Sequence, residues 1–211
     1  MLIFDIGANI GNKVEKAVAR GLTVVCVEPQ SECVDYIKNR YKDQLNKTLF
    51  IEQCCVGEFE GEVELAINDQ TDTISSCSKE FLKTGRFAER NYTWSKKIKV
   101  KQTTLNNLIK KYGKPEIIKI DVENYEYEVL KGLSQLITYI IFEYHLEFPD
   151  KIKKCIEHLN SLGDYYYYYT IGEDEKLSKS FRNFNDLMKE IMENKDKDAW
   201  GIWGDIHCSI K

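Results

Sequence analysis

The segment Asp5-Ile6-Gly7-Ala8-Asn9-Ile10-Gly11-Asn12 sets two glycines, two amides and a carboxylate between an apolar run and an amphipathic one. Glycines in such a turn let the backbone pass close to a ligand. The exposed N–H groups of the turn and of the helix it opens favour a carboxylate or phosphate, while Asp5 at a strand end can hold an ammonium group. The arrangement suits a small zwitterionic ligand. Asn9 occupies the place of the middle glycine of a dinucleotide fingerprint, where it would crowd a pyrophosphate, so NAD is disfavoured. Glu28 stands seventeen positions past Gly11, at the end of a second apolar run. Doubly wound proteins keep a carboxylate there that accepts hydrogen bonds from both ribose hydroxyls. The other reading is a solvated strand-end acid, and the glycine turn in the correct frame favours the ribose role.

A second group of reactive side chains comes later: Asp121 and Glu123 after one apolar run, Glu143 and His145 at the end of the next. If both runs are parallel strands, the four converge on the carboxyl edge of a sheet, where open α/β folds bind ligands. His145 reads equally as a proton acceptor and as a structural hydrogen-bonding residue. The acids could also hold a divalent cation, but no definite ligand spacing is present, and a metal-free site ranks first. Glu126 and Glu128 read as helix-surface charges. Arg86, Arg90, Tyr92 and Trp94 fall in a polar, aromatic stretch where loops carry specificity; they either meet a ligand or pack that stretch onto the sheet.

These residues need elements to hold them. Leu2 to Ile6 reads as a strand, followed by a helix carrying Val14, Ala17 and Val18 and closed by Gly21. Thr23 to Val27 is a second strand, and Ser31 is expected to N-cap a helix with Val34 and Ile37 on its apolar face. This alternation predicts a parallel sheet with crossover helices. A third strand is expected over Leu49 to Cys54, and Val63, Leu65 and Ile67 look like one arm of a hairpin paired with Ile98 to Val100. Thr104 caps a short helix ending at Gly113, and Glu116 to Ile120 is a fourth buried strand. Tyr125 to Lys131 reads as helix, Tyr139 to Tyr144 as a fifth strand, and the chain after Pro149 as a helix ending at Gly163. Late strands are expected over Tyr165 to Ile171 and Trp203 to Ile210, with helix around Phe184 to Lys195.

At 211 residues with 43% hydrophobic and 30% charged content, a single domain over residues 1–211 is expected, with an insertion at about 58–103. No signal pattern or long apolar run is visible, which points to the cytoplasm and away from membranes. A net charge of −4 with interleaved signs argues against nucleic acid as a partner. The seven cysteines form no C-x-x-C and read as free, mostly buried thiols.

Several separated motifs together resemble the FkbM family of methyltransferases: D-x-G-A-N-x-G at Asp5 to Gly11, V-E-P at Val27 to Pro29, T-L-x-x-L at Thr104 to Leu108, and a block running from Ile118 to Gly132. The resemblance covers Leu2 to about His145. It implies a Rossmann-like class I methyltransferase fold, a mostly parallel seven-stranded sheet flanked by helices, with a β-hairpin insertion. It also implies S-adenosylmethionine as cofactor and S-adenosylhomocysteine as product, commonly with hydroxyls of sugars or glycosylated products as acceptors. Carried over by position, Asp5, Gly7, Asn9, Gly11 and Asn12 surround the methionine part, Glu28 the ribose, and Cys55 and Val56 with Gly57 the adenine; Ser76, of the Ser75-Ser76 pair, approaches the cofactor. In-line methyl transfer then asks for positioning and a proton acceptor. Asp121 is expected as an orienting or basic group, His145 as the main alternative base, and Glu123 as a third catalytic candidate.

Asn124 replaces a usual glycine of the family and Asn107 a frequent aspartate. Met1 precedes the first strand almost directly, so the cofactor's lid is expected from elsewhere in the chain or from a partner subunit, and a homodimer stays open. The acceptor is expected to be a small molecule, nucleotide sugar or glycan. Two other classes compete: a non-catalytic S-adenosylmethionine-binding module supporting a partner, and a nucleotide-dependent oxidoreductase.

Overall fold

The computed structural model describes residues 1–71, 73–174, 176–195 and 203–210. Its strands are β1 (Leu2–Ile6), β2 (Thr23–Val27), β3 (Leu49–Glu52), β4 (Cys55–Val56), β5 (Gly61–Ile67), β6 (Lys96–Thr103), β7 (Ile117–Ile120), β8 (Tyr139–His145), β9 (Tyr165–Tyr169) and β10 (Trp203–Ile210). The helices are α1 (Glu15–Ala19), α2 (Ser31–Arg40), α3 (Arg86–Glu89), α4 (Leu105–Tyr112), α5 (Glu126–Lys131), α6 (Pro149–Leu162) and α7 (Phe184–Asn194).

Seven strands form one sheet in the order β3-β2-β1-β7-β8-β10-β9, parallel except for β10, which is antiparallel to both neighbours. The order reverses at β1, so the ends of β1 and β7 open a crevice at the switch point. Both faces are covered, which is why the strands read as continuous apolar runs. Along β2, Val24 and Cys26 face a cluster with α1 and α2, while Val25 and Val27 face the larger cluster with α4, α5 and α6. Ile118 and Ile120 on β7 are fully buried, each stabilising the fold by about 2 kcal/mol. The five tyrosines of β9 alternate in the same way: Tyr165, Tyr167 and Tyr169 are buried and their two neighbours are not.

The hairpin forms in the expected register, Val63 opposite Val100 and Leu65 opposite Ile98. Cys55–Val56 adds a parallel third strand to it, so the third strand of the large sheet stops at Glu52 rather than Cys54. Ser31 is not an N-cap: Gln30 holds the extended cap position and Ser31 is the first helical residue, its hydroxyl donating to Glu32. Thr104 does cap α4, accepting the Asn107 N–H at 3.1 Å. Strand β9 ends at Tyr169, two residues early, and just beyond it the Thr170 carbonyl accepts the Tyr144 hydroxyl at 3.0 Å. Six of the seven cysteines are buried and none forms a disulfide.

Candidate functional site

Three strand ends are tied together where the sheet reverses. Gly7 and Ala8 both donate to the Val27 carbonyl at 2.9 and 3.1 Å, and Asp121 donates to the Ile6 carbonyl at 2.9 Å. Gly7 has φ +82°, and a Cβ there would fall 1.8 Å from the Asp121 carbonyl oxygen. Its glycine is therefore required by the neighbouring strand end as well as by the turn. Asn9 adopts φ 45°, the left-handed conformation that asparagine tolerates, and its side-chain oxygen accepts the Ile10 N–H at 2.8 Å.

A cavity of about 530 Å³ opens over this junction, within the range of small-molecule sites. One end is walled by Gly7, Asn9, Asn12, Glu28, Cys55 and Val56, the other by Asp121, Glu123, Glu143, Trp203 and Asp205. Ile74, Ser75, Ser76, Arg86 and Phe87 of the insertion also line it, so the insertion contributes part of the wall. Ser76 donates to the Glu123 carbonyl at 2.6 Å and Ser75 to the Gln30 side chain at 3.3 Å, docking the insertion at both ends.

Asp5 and Gly11, expected at the ligand, do not line the cavity. Gly11 (φ +76°) sits against Tyr41, whose hydroxyl donates to its carbonyl at 2.8 Å. Asp5 lies opposite Lys119 in the β1–β7 pairing and is buried. His145 is also absent from the lining, standing behind Glu123 and Glu143 with its ring against Phe81 and Phe148. Asp121, Glu123, Asn9, Asn12, Glu28, Cys55, Val56 and Ser76 are brought to the cavity together with Gly7.

The Glu28 carboxylate accepts the Asn9 N–H on one oxygen and the Gln30 N–H on the other, both at 2.9 Å. Burial still raises its pKa to about 7 against these two stabilising bonds. Burial likewise lifts Asp5 from 3.8 to about 6, opposed by Lys119 and reinforced by Asp121. For Asp121 burial acts upward too, but Lys119, donating at 2.6 Å, outweighs it and holds the carboxyl below its ordinary value. Asp121 is thus held ionised by its lysine and is a weak proton acceptor. Glu123 is raised well above the ordinary carboxylate range by burial and the charge of Glu143.

Glu126 is not a surface charge. It is buried and accepts the N–H groups of Val122 and Asn124, each at 3.2 Å, which pins the loop that carries Glu123. Burial raises it to about 8. Glu123 and Asn124 adopt φ 54° and 68°, which explains why a glycine suits position 124 and why asparagine replaces it. Glu128 pairs with Lys151 on a partly exposed face. In the insertion, Trp94 donates to the Ile74 carbonyl and packs with Tyr92 around Phe81, while Arg86 is bound by Glu147 at 3.0 Å.

Sequence reasoning gave no role to Lys119, Asp205 or Trp203. Lys119 carries a signal, a lone charge within the apolar run Ile117–Ile120, and it is the counter-ion of Asp121. Asp205 faces Glu143 across the antiparallel pairing, which no local pattern encodes; burial raises its pKa to about 6.

The cavity is acid-rich, and it suits a ligand bearing positive charge at its centre. The model of the methyltransferase FkbM domain matches residues 5–168. No curated protein matches the chain. The crystal structure of methyltransferase FkbM from Methylobacillus flagellatus KT aligns with a TM-score of 0.58 at 15% identity, covering 99% of this chain and 43% of that one. Precorrin-6y C5,15-methyltransferase from Geobacter metallireducens GS-15 aligns at 0.47 and 10% identity, over 100% and 80%. At 15% identity the likeness to the FkbM structure is one of fold, and this chain spans less than half the length of that structure. The family model covers most of the sequence, and the chain belongs to the FkbM methyltransferase domain family.

Proposed function

We propose that this chain is an S-adenosylmethionine-dependent O-methyltransferase acting on a carbohydrate hydroxyl, in a nucleotide sugar or glycan. The observation that carries the reading is one continuous cavity with Glu28 and the glycine turn at one end and the Asp121, Glu123 and Glu143 carboxylates at the other. When bound, the cofactor would supply a methyl group on a sulfonium sulfur, whose C–S bond breaks to release S-adenosylhomocysteine as the acceptor oxygen forms its bond to the methyl carbon in line. Glu28, whose oxygens are already oriented by backbone N–H groups, would accept the ribose hydroxyls, and Asn9 and Asn12 would border the methionine part.

The acids at the far end favour the cationic centre and exclude anionic competitors. Glu123, held with a raised proton affinity, accepts the hydroxyl proton as the carbon–oxygen bond forms. Asp121 orients the acceptor while Lys119 keeps it ionised. His145 supports Glu143 and Glu123 from behind. Sugar hydroxyls suit this wall because a ring with several O–H donors can satisfy several carboxylates at once.

Calorimetric titration with S-adenosylmethionine and S-adenosylhomocysteine, followed by a radiolabelled methyl-transfer screen over nucleotide sugars and oligosaccharides, tests the reading. Saturable binding and label in a carbohydrate fraction are expected. Cofactor binding with label only in non-carbohydrate acceptors would overturn the acceptor class, and absence of binding would overturn the whole.

A further inference from the structure

Glu123, Glu143 and His145 each present one atom within 4.8 Å of the other two. The His145 Nε2 lies 3.1 Å from the Glu143 Oε2 and 3.6 Å from the Glu123 Oε2. His145 is 2% exposed, and neither ring nitrogen completes a hydrogen bond among the described residues. The two carboxylate oxygens are likewise buried without a hydrogen-bond donor. Two desolvated carboxylate oxygens and an imidazole thus converge in the folded interior with no completed hydrogen bond among the described residues, an arrangement a bound cation would satisfy.

We propose that these three side chains form a binding site for a divalent first-row transition ion at the acceptor end of the cavity. Ligand atoms about 2.1 Å from a common ion stand about 3.0 Å apart at a right angle and about 3.4 Å apart in a tetrahedron, and the two measured separations fall close to those spacings. Two carboxylates carry the charge that a divalent ion neutralises. The imidazole selects a transition ion over magnesium or calcium. Arg86, the nearby guanidinium, forms its ion pair with Glu147 rather than with either acid of the cluster.

Glu123 and Glu143 line the cavity while His145 seals the site from behind, so the open coordination positions face the acceptor. The inference rests on the acceptor-end reading given above and deepens it. An acceptor hydroxyl occupying an open position would be acidified there and give its proton to a carboxylate oxygen not engaged as ligand. The sequence brings these residues to one sheet edge without a definite ligand spacing, because Glu123 comes from the loop after β7 and the other two from β8, and the structure supplies the separations.

The test uses the full chain, freed of metal by chelator dialysis and titrated with Mn2+ while electron paramagnetic resonance follows the free ion. One ion per chain is expected, with spin-echo modulation from a directly bound imidazole nitrogen. Glu143→Gln and His145→Gln should each weaken Mn2+ binding at least tenfold. Cofactor titration on the same samples reads independently. A wild-type chain that binds S-adenosylmethionine but no Mn2+, Co2+ or Zn2+ would overturn the metal site and leave the methyltransferase reading intact. Bound Mn2+ without nitrogen modulation, or equal affinity in folded variants, would overturn it as well. Mn2+ binding with the nitrogen signature but no cofactor binding would uphold the site and overturn the function.

Discussion

The two ends of the cavity solve the problem of buried charge in opposite ways. At the β1–β2 end, both oxygens of the Glu28 carboxylate receive a backbone N–H, and the turn around Gly7 is tied into two neighbouring strand ends. At the β7–β8 end, Glu123, Glu143 and His145 crowd together with no completed hydrogen bond between them. The first region is finished before any ligand arrives, the second completed only by one. Binding is thus pre-organised on one side, while the reacting side stores unfavourable electrostatics that an incoming group relieves.

Breaking the finished end should have the largest effect. Gly7→Ala forces a Cβ onto the Asp121 carbonyl at a positive φ and should destabilise the protein by about 3 kcal/mol or more, read by chemical denaturation. Glu28→Gln keeps the shape but loses charge-assisted acceptance from the ribose, and calorimetry should show cofactor affinity falling about 100-fold. The unfinished end should respond with the opposite sign. Glu143→Gln removes one of the crowded charges and should stabilise the ligand-free protein by about 1 kcal/mol in thermal unfolding, while lowering methyl transfer about 100-fold. Stabilisation by Glu28→Gln, or marked destabilisation by Glu143→Gln, would break the contrast.

Ser76→Ala tests the seam between insertion and loop. Loss of its 2.6 Å bond to the Glu123 carbonyl should cost about 1 kcal/mol and expose residues 73–77 to faster amide exchange. The smallest effect concerns pH. Asp5 has a folded pKa of about 6 against an ordinary 3.8, so its contribution to stability is complete below 3.8 and is lost as pH rises through 6. Asp5→Asn should flatten that part of the stability profile, which chemical denaturation across the same pH window would show.

What sequence could reveal follows the same division. The turn from Asp5 to Gly11, the acid at Glu28 and the alternating strands and helices are local patterns, and the sheet formed from them with the hairpin in its expected register. The acceptor end is assembled from separated pieces. Glu143 and His145 share a strand face at spacing two, but only the insertion's Phe81 and the following Phe148 place His145 behind a roof. Glu126 looked like a helix-surface charge because helical spacing says nothing of the left-handed turn at Glu123 and Asn124, which folds two N–H groups onto it. Asp205 arrives through an antiparallel last strand, whose partner no local periodicity names.

That last strand carries a consequence for anyone engineering the protein. Asp205 and Glu143 are directly opposed on β10 and β8, a like-charge pairing that weakens the association of the two strands. Replacing either acid with a neutral, strand-favouring residue is what a search for heat resistance would select first. A library ranked by melting temperature alone would therefore drift toward robust proteins with an empty reaction chamber, and selection should score turnover alongside.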